Sequence, residues 1–245
     1  MKKLLVSNVS KNFTRDSEDL AVLNSITFSV EAGKVLAILG KSGSGKTTLL
    51  NIVARLEEHT SGSVEYTGGV SYTPQKDLLL PWRTISKNVL LPLEIKKSIS
   101  VADVERGKAL LEEFELGEFL EAYPHELSGG MRQKVSLVRS LIQDQGLYLF
   151  DESLSAIDFD SRLKMVTKIR DHIVNNGKIG VFVTHNIEEA ISVADRVVVF
   201  GARPAQIIYE ADINIPHELR DPVKIRKNPE FQNHFDTLWT VMAKS

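Results

Sequence analysis

Apolar and polar residues change their spacing several times along this chain, and each change predicts an element. Ile26-Thr27-Phe28-Ser29-Val30 alternates strictly, the pattern of a strand with one buried face. Glu31-Ala32-Gly33 reads as a turn. Residues 35–39 are then apolar without interruption, as expected of a central strand covered on both faces. Residues 4–39 as a whole read as β-rich. Residues 63–67 and 70–73 read as the two arms of a hairpin around Gly68-Gly69. From about residue 78 to 123 the strand signal fades. There, 85–95, 100–114 and 118–122 take helical spacing, broken by Pro92 and Pro124. Beyond them the pattern predicts helix 131–142, strand 147–150, helix 159–175, strand 179–183, helix 187–194, strand 197–200 and a last strand over 205–210. Helices alternating with apolar strands give an α/β core with a largely parallel sheet, with a mainly helical subdomain inserted at about 78–143. In the tail, Phe231, Phe235, Leu238, Trp239 and Met242 share one helical face, expected to pack on the chain's own domain.

Composition narrows the function classes. A chain of 245 residues, 42% hydrophobic, supports one large domain or a core with a small insert, and 1–245 is read as a single domain. Lys+Arg of 30 against Asp+Glu of 32 gives a net charge of -2, no electrostatic case for nucleic acid as main partner. Lys96-Lys97 reads as solvated surface. With no cysteine there is no disulfide, thiolate chemistry or Cys-based metal site. The segment beginning Met1-Lys2-Lys3 reaches polar Ser7-Asn8 too soon for a signal peptide. No run of ~18 apolar residues is present, so a membrane connection is expected to come through a partner.

The densest chemistry lies at Gly40-Lys41-Ser42-Gly43-Ser44-Gly45-Lys46-Thr47, which fits G-x-x-x-x-G-K-[ST] between an apolar strand and a helix expected over 48–56. Glycines let backbone N–H groups turn inward on phosphates, and the helix N-terminus adds positive potential. Gly40, Ser42, Gly43, Gly45, Lys46, Thr47 and Thr48 are the expected nucleotide contacts. Lys46 supplies a charge for the β- and γ-phosphates, and the Thr47 hydroxyl a ligand for Mg²⁺. Leu147-Tyr148-Leu149-Phe150-Asp151-Glu152 is an apolar strand ending in two acids, placed to face a ligand crevice. Asp151 suits Mg²⁺, and Glu152 suits orienting or deprotonating the attacking water. Leu127-Ser128-Gly129-Gly130 opens another helix. It reads either as a second anion-binding terminus or as a plain N-cap.

Taken in order, these motifs resemble the ATP-binding subunit of ABC transporters over nearly the whole length. The likeness rests on six motifs in register. They are the phosphate loop, Gln75 within Tyr72-Thr73-Pro74-Gln75, the signature-like 127–133, the Walker B-like 148–152, the D-loop-like Ser155-Ala156-Ile157-Asp158, and Thr184-His185. The resemblance implies a P-loop NTPase core (RecA-like), an N-terminal antiparallel β subdomain, ATP and Mg²⁺ as ligands, and ATP hydrolysis. It implies that Gln75 touches Mg²⁺ or the lytic water, that His185 contacts the γ-phosphate, and that Phe13 stacks on adenine, with an ordinary core Phe as the alternative reading of its position. It implies a homodimer in which Ser128, Gly129 and Gly130 cap the γ-phosphate held by the other copy, with Asp158 at that interface. It also implies permease subunits, a solute-binding protein acting indirectly, and a place on the cytoplasmic face of the cell membrane. Met131, Ser153 and Ile157 depart from the commonest family residues without touching the phosphate ligands.

The stretch Leu79-Leu80-Pro81-Trp82-Arg83-Thr84-Ile85 lies where the family docks on its membrane subunit, and its Trp and Arg suit an interface anchor. With Met131-Arg132-Gln133 and Arg203-Pro204 it looks like the nitrate/sulfonate/taurine importer ATPases, a branch that includes importers of thiamine precursors. The competing expectations are a soluble ABC-type ATPase uncoupled from transport and a nucleotide-binding scaffold without catalysis.

Overall fold

The computed structural model describes residues 3–15, 18–96, 99–154, 156–220 and 222–244. Met1, Lys2, Lys97 and Ser155, named above, lie outside the described residues. The chain opens with long strands β1 (Lys3–Arg15) and β2 (Glu18–Glu31), then β3 (Lys34–Leu39), α1 (Lys46–Val53), β4 (Ser61–Glu65) and β5 (Val70–Thr73). Next come α2 (Ile85–Lys96), α3 (Val101–Glu113), short 3-10 turns, and α4 (Gly129–Leu141). The remainder runs β6 (Leu147–Asp151), α5 (Phe159–Asn175), β7 (Ile179–Thr184), α6 (Ile187–Val193), β8 (Arg196–Phe200), β9 (Ile207–Asp212), α7 (Pro222–Ile225) and α8 (Pro229–Lys244).

Two sheets result. An antiparallel sheet has the order β2-β1-β4, and a six-stranded sheet the order β5-β6-β7-β3-β8-β9. The larger sheet is parallel except for β9, which runs antiparallel to β8. The continuous apolar runs follow from burial on both faces. On β3, Val35, Ala37 and Leu39 point into one core with the helices, while Leu36 and Ile38 enter a second core with β1, β2 and α1. On β6, Tyr148 and Phe150 join the first core, and Leu147 and Leu149 the second.

Several local expectations need correction. Gly68-Gly69 is no hairpin: β4 pairs with β1, whereas β5 pairs in parallel with β6, Val70 opposite Leu147. The two glycines carry the chain from one sheet to the other, with Gly68 at φ 91° and the Gly69 carbonyl accepting from Gly146 N–H at 3.1 Å. Pro92 does not break its helix. α2 runs through it, held by its buried residues Ile85, Asn88 and Val89, which offset the single N–H that proline lacks. Residues 118–122 form only a 3-10 turn, Gly117–Phe119. The phosphate-loop and signature helices begin at Lys46 and Gly129, two residues ahead of the expected starts. The aromatic face of α8 divides, with Phe231 and Leu238 buried and Trp239 exposed, although Phe231, Phe235 and Trp239 stack in succession.

One buried cation fixes the tail. The Arg220 guanidinium, 1% exposed, donates to the carbonyls of Ile191, Ser192 and Ala194 at the C-terminus of α6 and to those of Ile213 and Ile215. Burial brings it down to about 10, yet it stays charged, and its donors satisfy helix-end carbonyls that have no intrahelical partner.

Candidate nucleotide site

Four adjacent parallel strands, β5, β6, β7 and β3, end on the same side of the sheet. Their C-termini deliver Gln75, the Asp151-Glu152 pair, His185 and the phosphate loop. Topology thus gathers residues from distant parts of the sequence into one crevice.

The loop after β3 is shaped by its glycines. Gly45 caps α1 at φ 96°, where a Cβ would approach Leu23 Cδ2 to 2.9 Å. Gly43 adopts φ 80°. Such left-handed conformations are open to glycine at little cost. A Cβ on Gly40 would stand 2.8 Å from Ser44 Oγ. That buried hydroxyl has no hydrogen-bond partner among the described residues, so it is available to a ligand in the loop. Lys46 folds back over the loop, its Nζ donating to the carbonyls of Gly40 (2.8 Å) and Lys41 (3.0 Å). Burial pushes its ammonium below the usual lysine range, against the pull of the Glu152 and Asp151 charges. From the far side, Arg203 donates to Gly43 O through Nε (3.0 Å) and Nη2 (2.6 Å).

Glu152 is the hub. Its carboxylate lies 3.7 Å from Lys46 Nζ and 3.4 Å from His185 Nδ1, and accepts from Gln75 Nε2 at 3.4 Å. Its backbone is held at φ 45°, an uncommon conformation for a residue with a Cβ, by its N–H donating to Val183 O at 2.9 Å. Beside it, Asp151 is raised by burial, with hydrogen bonds from the Thr47 and Tyr72 hydroxyls working the other way. Tyr72 Oη lies 3.2 Å from its Oδ2. A carboxylate joined to the Thr47 hydroxyl, with a phosphate loop alongside, is an all-oxygen donor set suited to Mg²⁺.

The other expected residues form a second group. Ser128 caps α4, its hydroxyl accepting from Met131 N–H at 3.2 Å, and Asp158 caps α5, accepting from Ser161 N–H at 3.0 Å. The two helix starts touch: a Cβ on Gly130 would meet Ala156 O at 3.2 Å. Gln133 joins this group to the first, its Oε1 accepting from Ala156 N–H (2.9 Å) and its Nε2 donating to Gln75 O (3.4 Å). Phe13 stands apart on β1, 36% exposed, with Lys11 Nζ 4.5 Å from the ring centroid. Ser42 is exposed and Thr48 half-buried in the first turn of α1.

Trp82 is 72% exposed and is not packed into its own subdomain. Buried Asn88 fixes the loop beneath it. Its amide donates to the carbonyls of Leu80, Arg83 and Thr84, and its Oδ1 accepts from Leu80 N–H at 2.8 Å. Behind Gln75, Arg132 pairs with Asp77 at 3.1 Å, and Arg139 donates to the carbonyls of Asp77 and Leu78. Among the described residues no helix is long and apolar enough to cross a membrane.

Fold and phosphate loop define an ATP-binding cassette. Residues 23–155 match the ABC transporter family. An aliphatic sulfonates import ATP-binding protein of Streptomyces avermitilis, SsuB 2, is 39% identical over 87% of this chain and 84% of its own length. The nitrate import ATP-binding protein NrtD of Synechocystis is 31% identical (98% and 94%), and the taurine import ATP-binding protein TauB of Roseobacter denitrificans is 34% identical (94% and 90%). The ATP-binding cassette MJ0796, solved as a dimer in a post-hydrolysis state bound to ADP and Pi, aligns with a TM-score of 0.79 at 26% identity, over 87% of this chain and 100% of that one. This chain belongs to the ABC transporter family as an ATP-binding subunit, an ATPase.

Tyr72, Arg203 and Gln133 enter the site without having been assigned a role from sequence. Tyr72 occupies an alternate position of a short strand, the one signal that could have aimed it at Asp151. Nothing in the local pattern marks Arg203 as a partner of Gly43.

Proposed function

We propose that this chain energises an importer of a small solute, working as a homodimer on the cytoplasmic face of the membrane beneath its permease subunits. The observation that carries the reading is the convergence of Lys46, Gln75 and His185 on Glu152 at the end of β6. Glu152 takes the water's proton, Gln75 and His185 orient water and γ-phosphate, and Lys46 and the loop N–H groups hold the phosphates. Thr47, Asp151 and Gln75 would hold Mg²⁺, which when bound neutralises charge on the β- and γ-phosphates. Phe13 receives the adenine ring on its open face.

Ser128, Gly129 and Gly130 cap the γ-phosphate of the nucleotide bound by the second copy, and Asp158 lies at that junction. Closure therefore depends on ATP favouring the paired state. The dimeric cassette among the structural neighbours supports this arrangement. Residues 78–143 form the inserted helical unit, and Trp82 is its anchor on the permease. The relatives named for sulfonate, nitrate and taurine import support that solute range, with thiamine precursors in the same branch; a solute-binding protein acts through the permease. The test is a Glu152→Gln chain saturated with ATP, followed by analytical ultracentrifugation alone and in complex with its permease. A dimer is expected. A monomer in both settings overturns the clamp, and failure to co-purify with any integral membrane protein overturns the transport role.

A further inference from the structure

We propose that Glu189 is the positioning residue of His185, fixing the backbone on both sides of that imidazole through the Thr184 hydroxyl. The inference rests on the reading above that His185 serves ATP hydrolysis. Asn186 caps α6, and its Oδ1 accepts from Glu189 N–H at 3.0 Å. In an ordinary capping box the acid at the third helical position would return that bond to the N–H of the cap. Here a hydroxyl is inserted. Thr184 Oγ1 accepts from Asn186 N–H at 3.0 Å and donates its own proton to Glu189 Oε2 at 3.1 Å. The ring closes as Glu189, Thr184, Asn186 and back to Glu189, with His185 the residue it spans.

The cost of this ring argues for a purpose. Glu189 is 5% exposed, between Ile187 and the fully buried Ala190 and Ile191. A carboxylate in such a place is expensive unless every neighbour suits it. An apolar side chain would pack there, and the Asn186 cap would survive, since it needs only Glu189 N–H. What an apolar residue cannot supply is the acceptor that orients the Thr184 proton. That orientation leaves a lone pair of Oγ1 for Asn186 N–H, so one carboxylate sets the end of β7 and the start of α6 together. The groups facing it are the Thr184 hydroxyl at the end of β7, the Arg162 guanidinium from α5 and the Glu152 carboxylate at the end of β6. Arg162 in turn donates to Ile157 O at 2.8 Å, at the start of the interface group.

The experiment compares steady-state ATP hydrolysis and binding of a fluorescent ATP analogue across variants of the full chain, with circular dichroism confirming the fold. Glu189→Leu and Thr184→Val are expected to lower kcat about tenfold or more while KM for ATP and analogue affinity stay within about twofold. Glu189→Gln and Thr184→Ser, which keep the acceptor and the hydroxyl, should restore kcat to within about threefold. The double variant Glu189→Leu/Thr184→Val should lose no more than the weaker single, because both break one ring. If Glu189→Leu does not fold, the Thr184→Val and Thr184→Ser pair decides. Unchanged kcat in folded Glu189→Leu or in Thr184→Val, equal loss in Thr184→Ser and Thr184→Val, or additive losses overturn the proposal. His185→Ala runs beside them. Lowered kcat there with normal Glu189→Leu activity overturns the positioning role alone, and unchanged kcat in His185→Ala overturns both that role and the site reading beneath it.

Discussion

The Lys46 ammonium stands 3.7 Å from the Glu152 carboxylate, so the cation proposed to hold phosphate and the carboxylate proposed as the base form one charge pair. Glu152→Gln should lose turnover by at least ~100-fold while still binding nucleotide, since the amide cannot take a proton but leaves the loop intact. Phosphate release and a fluorescent-nucleotide titration check it, and undiminished turnover rejects Glu152 as the base.

Lys46→Ala is expected to weaken nucleotide affinity by at least about tenfold, the value of a charge-assisted hydrogen bond to phosphate. Removing the side chain also takes away the ammonium donor that the Gly40 and Lys41 carbonyls now share. Equilibrium titration at fixed ionic strength reads the effect, and unaltered affinity would speak against the phosphate loop.

Much of this site was legible in the sequence, for identifiable reasons. β3 and β6 are buried on both faces, so their apolar runs could hardly be anything else, and each ends in polar chemistry that the sheet topology must present together. The Gly68-Gly69 turn was misread because its pairing is decided far away, by β1 for one arm and β6 for the other. Tyr72 reaches Asp151 across 79 residues and Arg203 reaches Gly43 across 160, distances over which local spacing carries no information. Glu189 sits where helix caps commonly carry an exposed acid, so its burial has no sequence signal.

Trp82→Ala should leave stability within about 0.5 kcal/mol and nucleotide affinity unchanged, because the indole is 72% exposed and the loop beneath it is held by Asn88. Transport in reconstituted vesicles should fall. Normal transport would remove Trp82 from the docking surface.

Burial raises the Glu189 carboxyl from the ordinary 4.5 to about 7, against the hydrogen bond from Thr184 and the charge of Arg162 and with the charge of Glu152. The folded chain then keeps a proton that the unfolded chain releases. This contribution to stability is complete below the unfolded value and disappears as pH climbs through the folded one. Glu189→Gln lacks it, so the Tm of the variant relative to the parent should rise between about pH 5 and about pH 8. Thermal melts at both pH values test this, and a constant difference refutes it.

The guanidinium of Arg220 gives the polypeptide beyond β9 a structural duty. Cutting the chain ahead of that arginine would strip five peptide oxygens of the guanidinium they share, three of them at the foot of the very helix whose start follows His185. A shortened version would then lose catalysis through a helix set adrift, with every residue proposed to hold phosphate still in the sequence.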